Sequence, residues 1–249
     1  MNYNSFYANV AYNYNFSRLD EGKVFNSTLN YIVNHLEGKN LKILDIGCGT
    51  GEYGFALKQM GYDVCGIDKS SAQVEIASKK ICASIGDVLC LNKKDNSVDV
   101  ILMIMMLHQI DALDLEKALA QVVRVLKPGG VVIIKTCFKD DIKKRITSKY
   151  FPSCYEFDKI RFHSRERLSL ANCNLEIKSC DKMSVLVPMS KEKLIQKFRA
   201  KGASNIGMLS DNELEEGISQ ILKDYEGKDT IEVNFDNTFL TLKYNKHLL

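Results

Sequence analysis

Apolar residues along the chain follow two periods, and each change of period marks an element. Phe25, Leu29, Ile32, Val33 and Leu36 repeat at helical spacing, which predicts an amphipathic helix that Gly38 closes. From Leu41 the pattern changes to short continuous apolar runs. Residues 41–47 read as a strand ending in a glycine-rich turn, 52–60 as a helix and 62–68 as a second strand, together one strand-helix-strand unit. Ser70 or Ser71 caps a helix reaching Lys80, 81–85 is a short third strand, and 98–106 a long fourth one. Leu115, Ala118, Leu119, Val122 and Leu126 share one helix face, and the LKPGG sequence at 126–130 separates that helix from a strand over 131–136. Strands and helices alternate throughout this stretch, which predicts an α/β protein with a doubly wound, mostly parallel sheet and helices on both faces.

The remainder is less regular. Ser164 caps a helix to Asn172, and a strand lies between Leu175 and Val187, ending at Pro188. Two helices follow, over 191–200 and 212–225. Ser210-Asp-Asn-Glu213 forms a capping box for the second, whose buried stripe is Leu214, Ile218, Ile221, Leu222 and Tyr225. Residues 231–244, broken at Asp236-Asn237, read as a terminal β-hairpin adding an antiparallel edge to the sheet. The expected organisation is one domain over 1–249: N-terminal lid helices in 1–38, a ligand-binding core in 41–137, a helical insertion in 189–227 and the terminal hairpin in 229–245.

Composition narrows the class. With 249 residues, 45% hydrophobic and 26% charged residues and a net charge of +3, the chain reads as an ordinary soluble globular protein. Its longest apolar run, 100–107, is far short of the roughly 20 residues that cross a bilayer, and no basic-then-apolar leader follows Met1. A cytoplasmic protein with no membrane partner is expected. The eight cysteines form no CxxC pair and the four histidines have no zinc-ligand spacing, so neither a disulfide framework nor a metal site is expected. Residues 139–167 carry nine Lys/Arg against five Asp/Glu, a modest basic patch.

Gly47, Gly49 and Gly51 alternate where the first strand turns into the first helix, the place at which open α/β sheets bind ligands. Alternate glycines let backbone approach a ligand, at an entropic cost that a bare turn does not require. The same loop parses as Gly49-x-Gly51-x-x-Gly54, a dinucleotide fingerprint, in which Asp68 at the end of strand two would bind a ribose hydroxyl of NAD. An NAD-dependent oxidoreductase is therefore one alternative.

The neighbours of the loop weigh against it. Asp45 lies two residues before the first glycine, Asp68 ends strand two, Gly86-Asp87 follows strand three and LKPGG precedes strand five. This set, with ILDIGCGTG at 43–51, resembles the class I S-adenosylmethionine (SAM) dependent methyltransferases. Within them it is most similar to the small-molecule enzymes of ubiquinone and menaquinone biosynthesis. Tyr7, Val10, Ala11, Tyr14 and Arg18 also resemble the segment that opens many of those enzymes as a lid over the cofactor. The resemblance implies a Rossmann-like fold, SAM as cofactor with S-adenosylhomocysteine (SAH) as product, and methyl transfer to O, N, S or C of a small-molecule acceptor. It implies that Gly47, Gly49 and Gly51 line the methionine part and ribose, that Asp68 holds the ribose hydroxyls, and that Asp87 accepts from the adenine amine while Val88 packs on the ring. Asp45 would act near the amino group or brace the loop, with Tyr14 and Arg18 completing the cofactor site and Arg18 pairing with the carboxylate. A carboxylate suits a cis-diol because it accepts two hydrogen bonds, and a guanidinium suits a carboxylate because it donates two.

SAM carries its own activated methyl group, so the protein has mainly to position the reactants. His108, directly after strand four, resembles the histidine of a family signature at this place. It reads as a base, or as a residue that fixes the loop under the cofactor, and Gln109 replaces the commoner aromatic. Two aromatic groups, Tyr3, Tyr7, Tyr12, Tyr14 and Phe16 together with Tyr150, Phe151, Tyr155, Phe157 and Phe162, are candidates for an acceptor wall; each fits core packing equally. Arg161, His163 and Arg165 could meet an anionic acceptor or form a solvated face. An RNA-modifying methyltransferase using the basic patch is the other alternative, but no RNA-binding module is recognisable and no nucleic-acid partner is expected.

Overall fold

The computed structural model describes residues 22–170 and 174–246. Its strands are β1 (Lys42–Ile46), β2 (Asp63–Asp68), β3 (Cys82–Ile85), β4 (Val98–Ile104), β5 (Leu126–Thr136), β6 (Leu175–Ser190) and β7 (Thr230–Tyr244). They form one sheet in the order β3-β2-β1-β4-β5-β7-β6. The first five run parallel, while β7 is antiparallel to both β5 and β6. The central strands are nearly continuous apolar runs because both of their faces are covered. Helix α1 (Lys23–Asn34) and helix α2 (Glu52–Gln59) cover one face, packing Leu29, Ile32 and Leu57 on Ile43, Val100 and Ile133. Helix α3 (Ser71–Ala77) follows β2, and Ser70 caps it by accepting from the Gln73 N–H at 3.4 Å. On the other face α4 (Leu115–Val125) buries Leu115, Ala118, Leu119, Val122 and Val125 against Ile101, Val132 and Ile134. The expected three-layer architecture is therefore present.

LKPGG is not a separator between elements: β5 begins within it, at Leu126, and pairs there with Val98. Gly129 supplies the left-handed residue, φ +79°, that the irregular register requires.

The terminal hairpin expected within 231–244 is absent. Asp236 and Asn237 lie in the middle of one continuous strand, paired with Ser184 and Met183 of β6. The ladder continues because Asp236 is held across the strands by Ser184 and along its own strand by Asn234. The antiparallel edge is instead the pair β6 and β7, with the helical insertion as its connection. β7 pairs with β5 only from Lys243 to Thr238, whereas residues 230–237 pair with β6 alone. This ribbon runs eight residues beyond the carboxyl end of β5, about 27 Å at roughly 3.4 Å per residue.

The ribbon carries a second core. Helices α5 (Ile146–Tyr150), α6 (Pro152–Arg161) and α7 (Arg165–Leu170) follow β5, and α8 (Lys191–Arg199), α9 (Ser204–Gly207) and α10 (Asp211–Asp224) connect β6 to β7. Phe151, Phe198, Leu214 and Ile218 pack there on Val187 and Val233 of the ribbon. The capping box forms by half. The Ser210 hydroxyl accepts from the Glu213 N–H at 3.2 Å, but the Glu213 carboxylate accepts from the Ser153 N–H of α6 at 3.1 Å, joining two helices.

Gly217 is what allows α10 to approach that core. A β-carbon there would lie 2.3 Å from Phe151 Cε1 and 2.7 Å from the Tyr150 carbonyl. In an exposed helix Gly→Ala stabilises by about 1 kcal/mol. Here Gly217→Ala is expected to destabilise by about 1–3 kcal/mol through overpacking, which a urea titration of both proteins measures.

Candidate active site at the strand switch

The chain order reverses between β1 and β4. From β1 it winds outward through β2 and β3, and from β4 outward through β5, so the loops after β1 and β4 flank a crevice. These loops touch. Gly47 has φ +71°, and a β-carbon on it would lie 2.7 Å from Met106 Cβ. Gly51, φ +80°, would similarly meet Ala77 Cβ at 3.1 Å. Gly49, φ +55°, is different, because an added β-carbon meets only Gln73 Oε1 at 3.6 Å. Packing requires glycine at 47 and 51, whereas at 49 only the backbone conformation does, and a ligand can approach there without displacing protein.

Asp68 fixes this loop. One carboxylate oxygen accepts from the Gly49 N–H at 2.9 Å and the other from the Ser70 N–H at 2.9 Å. Each oxygen keeps a second lone pair. Burial raises its pKa, opposed by those backbone donors. Asp45, 2% exposed at the end of β1, is raised to about 7, first by desolvation and then by the nearby Asp68 charge. The side chain of Gln73 is buried beside Gly49, and neither its amide nitrogen nor its oxygen has a hydrogen-bond partner among the described residues. Sequence reasoning missed Gln73, since a glutamine in the first turn of a helix reads as solvent-facing.

Asp87 sits in the turn after β3, accepting from the Leu89 N–H at 2.9 Å and pairing with Lys69 at 3.0 Å. Val88 beside it is buried in the core with Ile67 and Leu91. At the end of β4 Met105 is left-handed, φ +54°, a strained conformation for a side chain of its size. It leads into the 3₁₀ turn Leu107–Gln109. The His108 ring stacks on Phe162 with centroids 4.7 Å apart, and its Nδ1 is buried without a hydrogen-bond partner among the described residues. Desolvation first, then the charges of Arg161, Arg145 and His163, hold its pKa well below the usual histidine range, so the imidazole is neutral at pH 7. Arg145 pairs with the buried Asp158 at 3.0 Å and lies over the Phe162 ring at 5.5 Å.

The other candidates divide. His163 is buried, with Nε2 3.1 Å from the Leu107 carbonyl, so it braces the His108 turn and does not face an acceptor. Arg165 is paired with Asp141 at 2.6 Å, and Arg161 donates to Ser204 at 2.9 Å. Of the second aromatic group Phe162 stacks on His108, Tyr155 packs in the same cluster as Phe162, and Tyr150 and Phe151 belong to the ribbon core. Tyr3, Tyr7, Tyr12, Tyr14, Phe16 and Arg18 lie outside the described residues.

Residues 43–130 match the family model described as a methyltransferase domain. A demethylmenaquinone methyltransferase of Staphylococcus aureus is 36% identical over 104 residues, covering 38% of this chain and 42% of that protein. A malonyl-[acyl-carrier protein] O-methyltransferase of Pectobacterium atrosepticum is 31% identical over 99 residues, covering 39% and 38%. The chain thus spans about two fifths of the length of these relatives. A solved methyltransferase from an antibiotic biosynthesis pathway of Anabaena variabilis superposes with TM-score 0.66 at 20% identity, over 86% of this chain and 96% of that one. The [4+2]-cyclase SpnF superposes with TM-score 0.58 at 19% identity over 92% and 84%, so this fold also hosts other chemistry. The chain is thus similar to methyltransferases in the segment that builds the crevice, and the cofactor that this likeness implies is SAM. Its matched segment, 43–130, contains the glycine loop, Asp68, Asp87 and His108.

The residues present fit that cofactor. The unpartnered Gln73 amide, the open approach to Gly49 and the spare lone pairs of Asp68 converge at one end of the crevice. The raised pKa of Asp45 also has a thermodynamic consequence. A carboxyl whose folded pKa lies above its unfolded value binds a proton on folding, so its contribution to stability is full below pH 4, falls between pH 4 and 7 and is lost above. Asp45→Asn is expected to flatten the fall in stability between pH 5 and 8 by at least about 1 kcal/mol. Unfolding titrations of both proteins at a series of pH values measure it.

Proposed function

We propose that this protein transfers the methyl group of SAM to a small-molecule acceptor. The observation that carries the reading is the arrangement at the strand switch, where a glycine loop pinned by Asp68 lies against a buried amide that has no partner among the described residues. SAM, when bound, supplies a methyl group made electrophilic by its sulfonium. The chain's own residues then have to hold, orient and exclude water. Asp68 would take the ribose hydroxyls on its free lone pairs, Gln73 would pair its amide with a polar edge beside Gly49, and Asp87 would take the adenine amine in exchange for Lys69. Asp45 would receive the ammonium of the amino-acid part, which requires its ionised form. His108, neutral and stacked on Phe162, would orient the acceptor through its Nδ1 and is proposed as a positioning residue.

The acceptor does not follow from the relatives. One, by its name, acts on demethylmenaquinone and another on malonyl-[acyl-carrier protein], although each is similar to this chain over about two fifths of its length.

Calorimetry tests the reading. SAH is expected to bind and NADH not to, and Asp68→Ala should weaken SAH by about 1.5–3 kcal/mol, as for a lost charge-assisted hydrogen bond. Heat with NADH and none with SAH would overturn it. Because Asp45 must lose its proton to hold an ammonium, SAH affinity is expected to rise from pH 5.5 to 8 and to lose that slope in Asp45→Asn.

A further inference from the structure

Where the ribbon leaves the sheet, a cavity of about 290 Å³ opens. Its lining includes Cys137, directly after β5, with Asp141 and Lys144 on one side and Lys182, Ser184 and Asp236 of the ribbon on another. Two contacts join it to the crevice. Cys137 packs on Phe162, and Phe162 stacks on His108 at 4.7 Å. The strand order agrees, because β5 is the neighbour of β4 on the side away from β1, one strand spacing of about 4.8 Å further along the sheet. A ligand in this cavity is therefore next in line beyond the His108 turn.

The lining is polar: apart from Cys137 and Met183 every residue is charged, amide-bearing or hydroxylic. An apolar occupant would strip water from these groups and return no hydrogen bonds. Both carboxylates already have partners. Asp141 takes Arg165 at 2.6 Å and Lys182 at 3.3 Å, and Asp236 takes Ser184 and Asn234. Lys144 has no ion-pair partner among the described residues, and with Arg165 behind Asp141 the positive charges outnumber the negative ones. A cationic ligand would meet Lys144 and Lys182, whereas an anion completes the set. The volume lies at the small end of the roughly 300–1,000 Å³ of small-molecule sites.

We infer that this cavity seats the methyl acceptor, and that the acceptor is a small hydrophilic acid whose carboxylate or phosphate is anchored by Lys144. This rests on the transferase reading above.

The test uses the full chain saturated with SAH, whose binding heat is recorded first. Ligand-observed NMR then compares 4-hydroxybenzoate and phenyl phosphate with the neutral 4-hydroxybenzamide and an apolar naphthoquinone. At least one of the two acids is expected to bind at least about tenfold more tightly than the neutral probes, and which of them does so identifies the anion. Lys144→Gln, an exposed position, should weaken that acid by about 10- to 100-fold and Lys144→Arg should restore most of it. Lys117→Gln, on the outer surface of α4, should change nothing. The inference is overturned if the neutral probes bind as well as the acids, if neither acid binds at millimolar concentration, if Lys144→Gln is silent, or if Lys117→Gln weakens binding equally. Absence of SAH heat overturns the transferase reading instead.

Discussion

The approach of Gly47 to Met106 is the constraint on which the site depends. With 2.7 Å between a hypothetical Gly47 β-carbon and Met106 Cβ, no other residue fits at 47 without moving the loop after β4. The contact arises from the reversal of strand order, which places the ends of β1 and β4 side by side. Met105 bears the cost on its side as a left-handed residue, and Gly47 bears it on the other. Asp68 then completes the frame by binding the Gly49 and Ser70 N–H groups with separate oxygens. One carboxylate thus sets both the glycine loop and the start of α3.

The second determinant is the antiparallel entry of β7 beside β5. A parallel strand would begin at the opposite end of the sheet, whereas β7 arrives from beyond the carboxyl ends and carries β6 with it. The overhang would expose apolar residues such as Val187 and Val233 were it not packed by α5, α6, α8 and α10. The helical insertion is therefore the covering that the ribbon needs, and its position beside the crevice follows from strand direction.

The core of the fold was legible because its signals are local. Apolar runs of strand length, the cap at Ser70 and the stripe of α4 each act within a few residues. The edge was misread at Asp236-Asn237, where turn-forming residues lie in a continuous strand; cross-strand partners hold them there, and a partner 52 residues away in sequence leaves no trace in a local pattern. The glycine loop and Asp68 were legible for a similar reason, since the φ values and the strand-end carboxylate are requirements of nearby backbone. Gln73 and the link from Cys137 through Phe162 to His108 were not, because only tertiary packing brings them to the crevice.

Charge is distributed unequally along that crevice. Asp45, Asp68 and Asp87 stand at the β1, β2 and β3 ends, while Arg145, Arg161 and Lys144 stand beyond β4. Burial disfavours the charged form of two groups near the middle, Asp45 by raising its pKa to about 7 and His108 by lowering its own. Each can regain a favourable interaction from a ligand of suitable polarity, a cation beside Asp45 and a hydrogen-bond donor or acceptor beside His108. Under the proposed transferase reading, a crevice acidic at one end and basic at the other would favour one orientation of a donor and acceptor pair, because exchanging them would place like charges together at both ends. On that reading orientation would follow from charge, and the shape of the crevice would have only to exclude water.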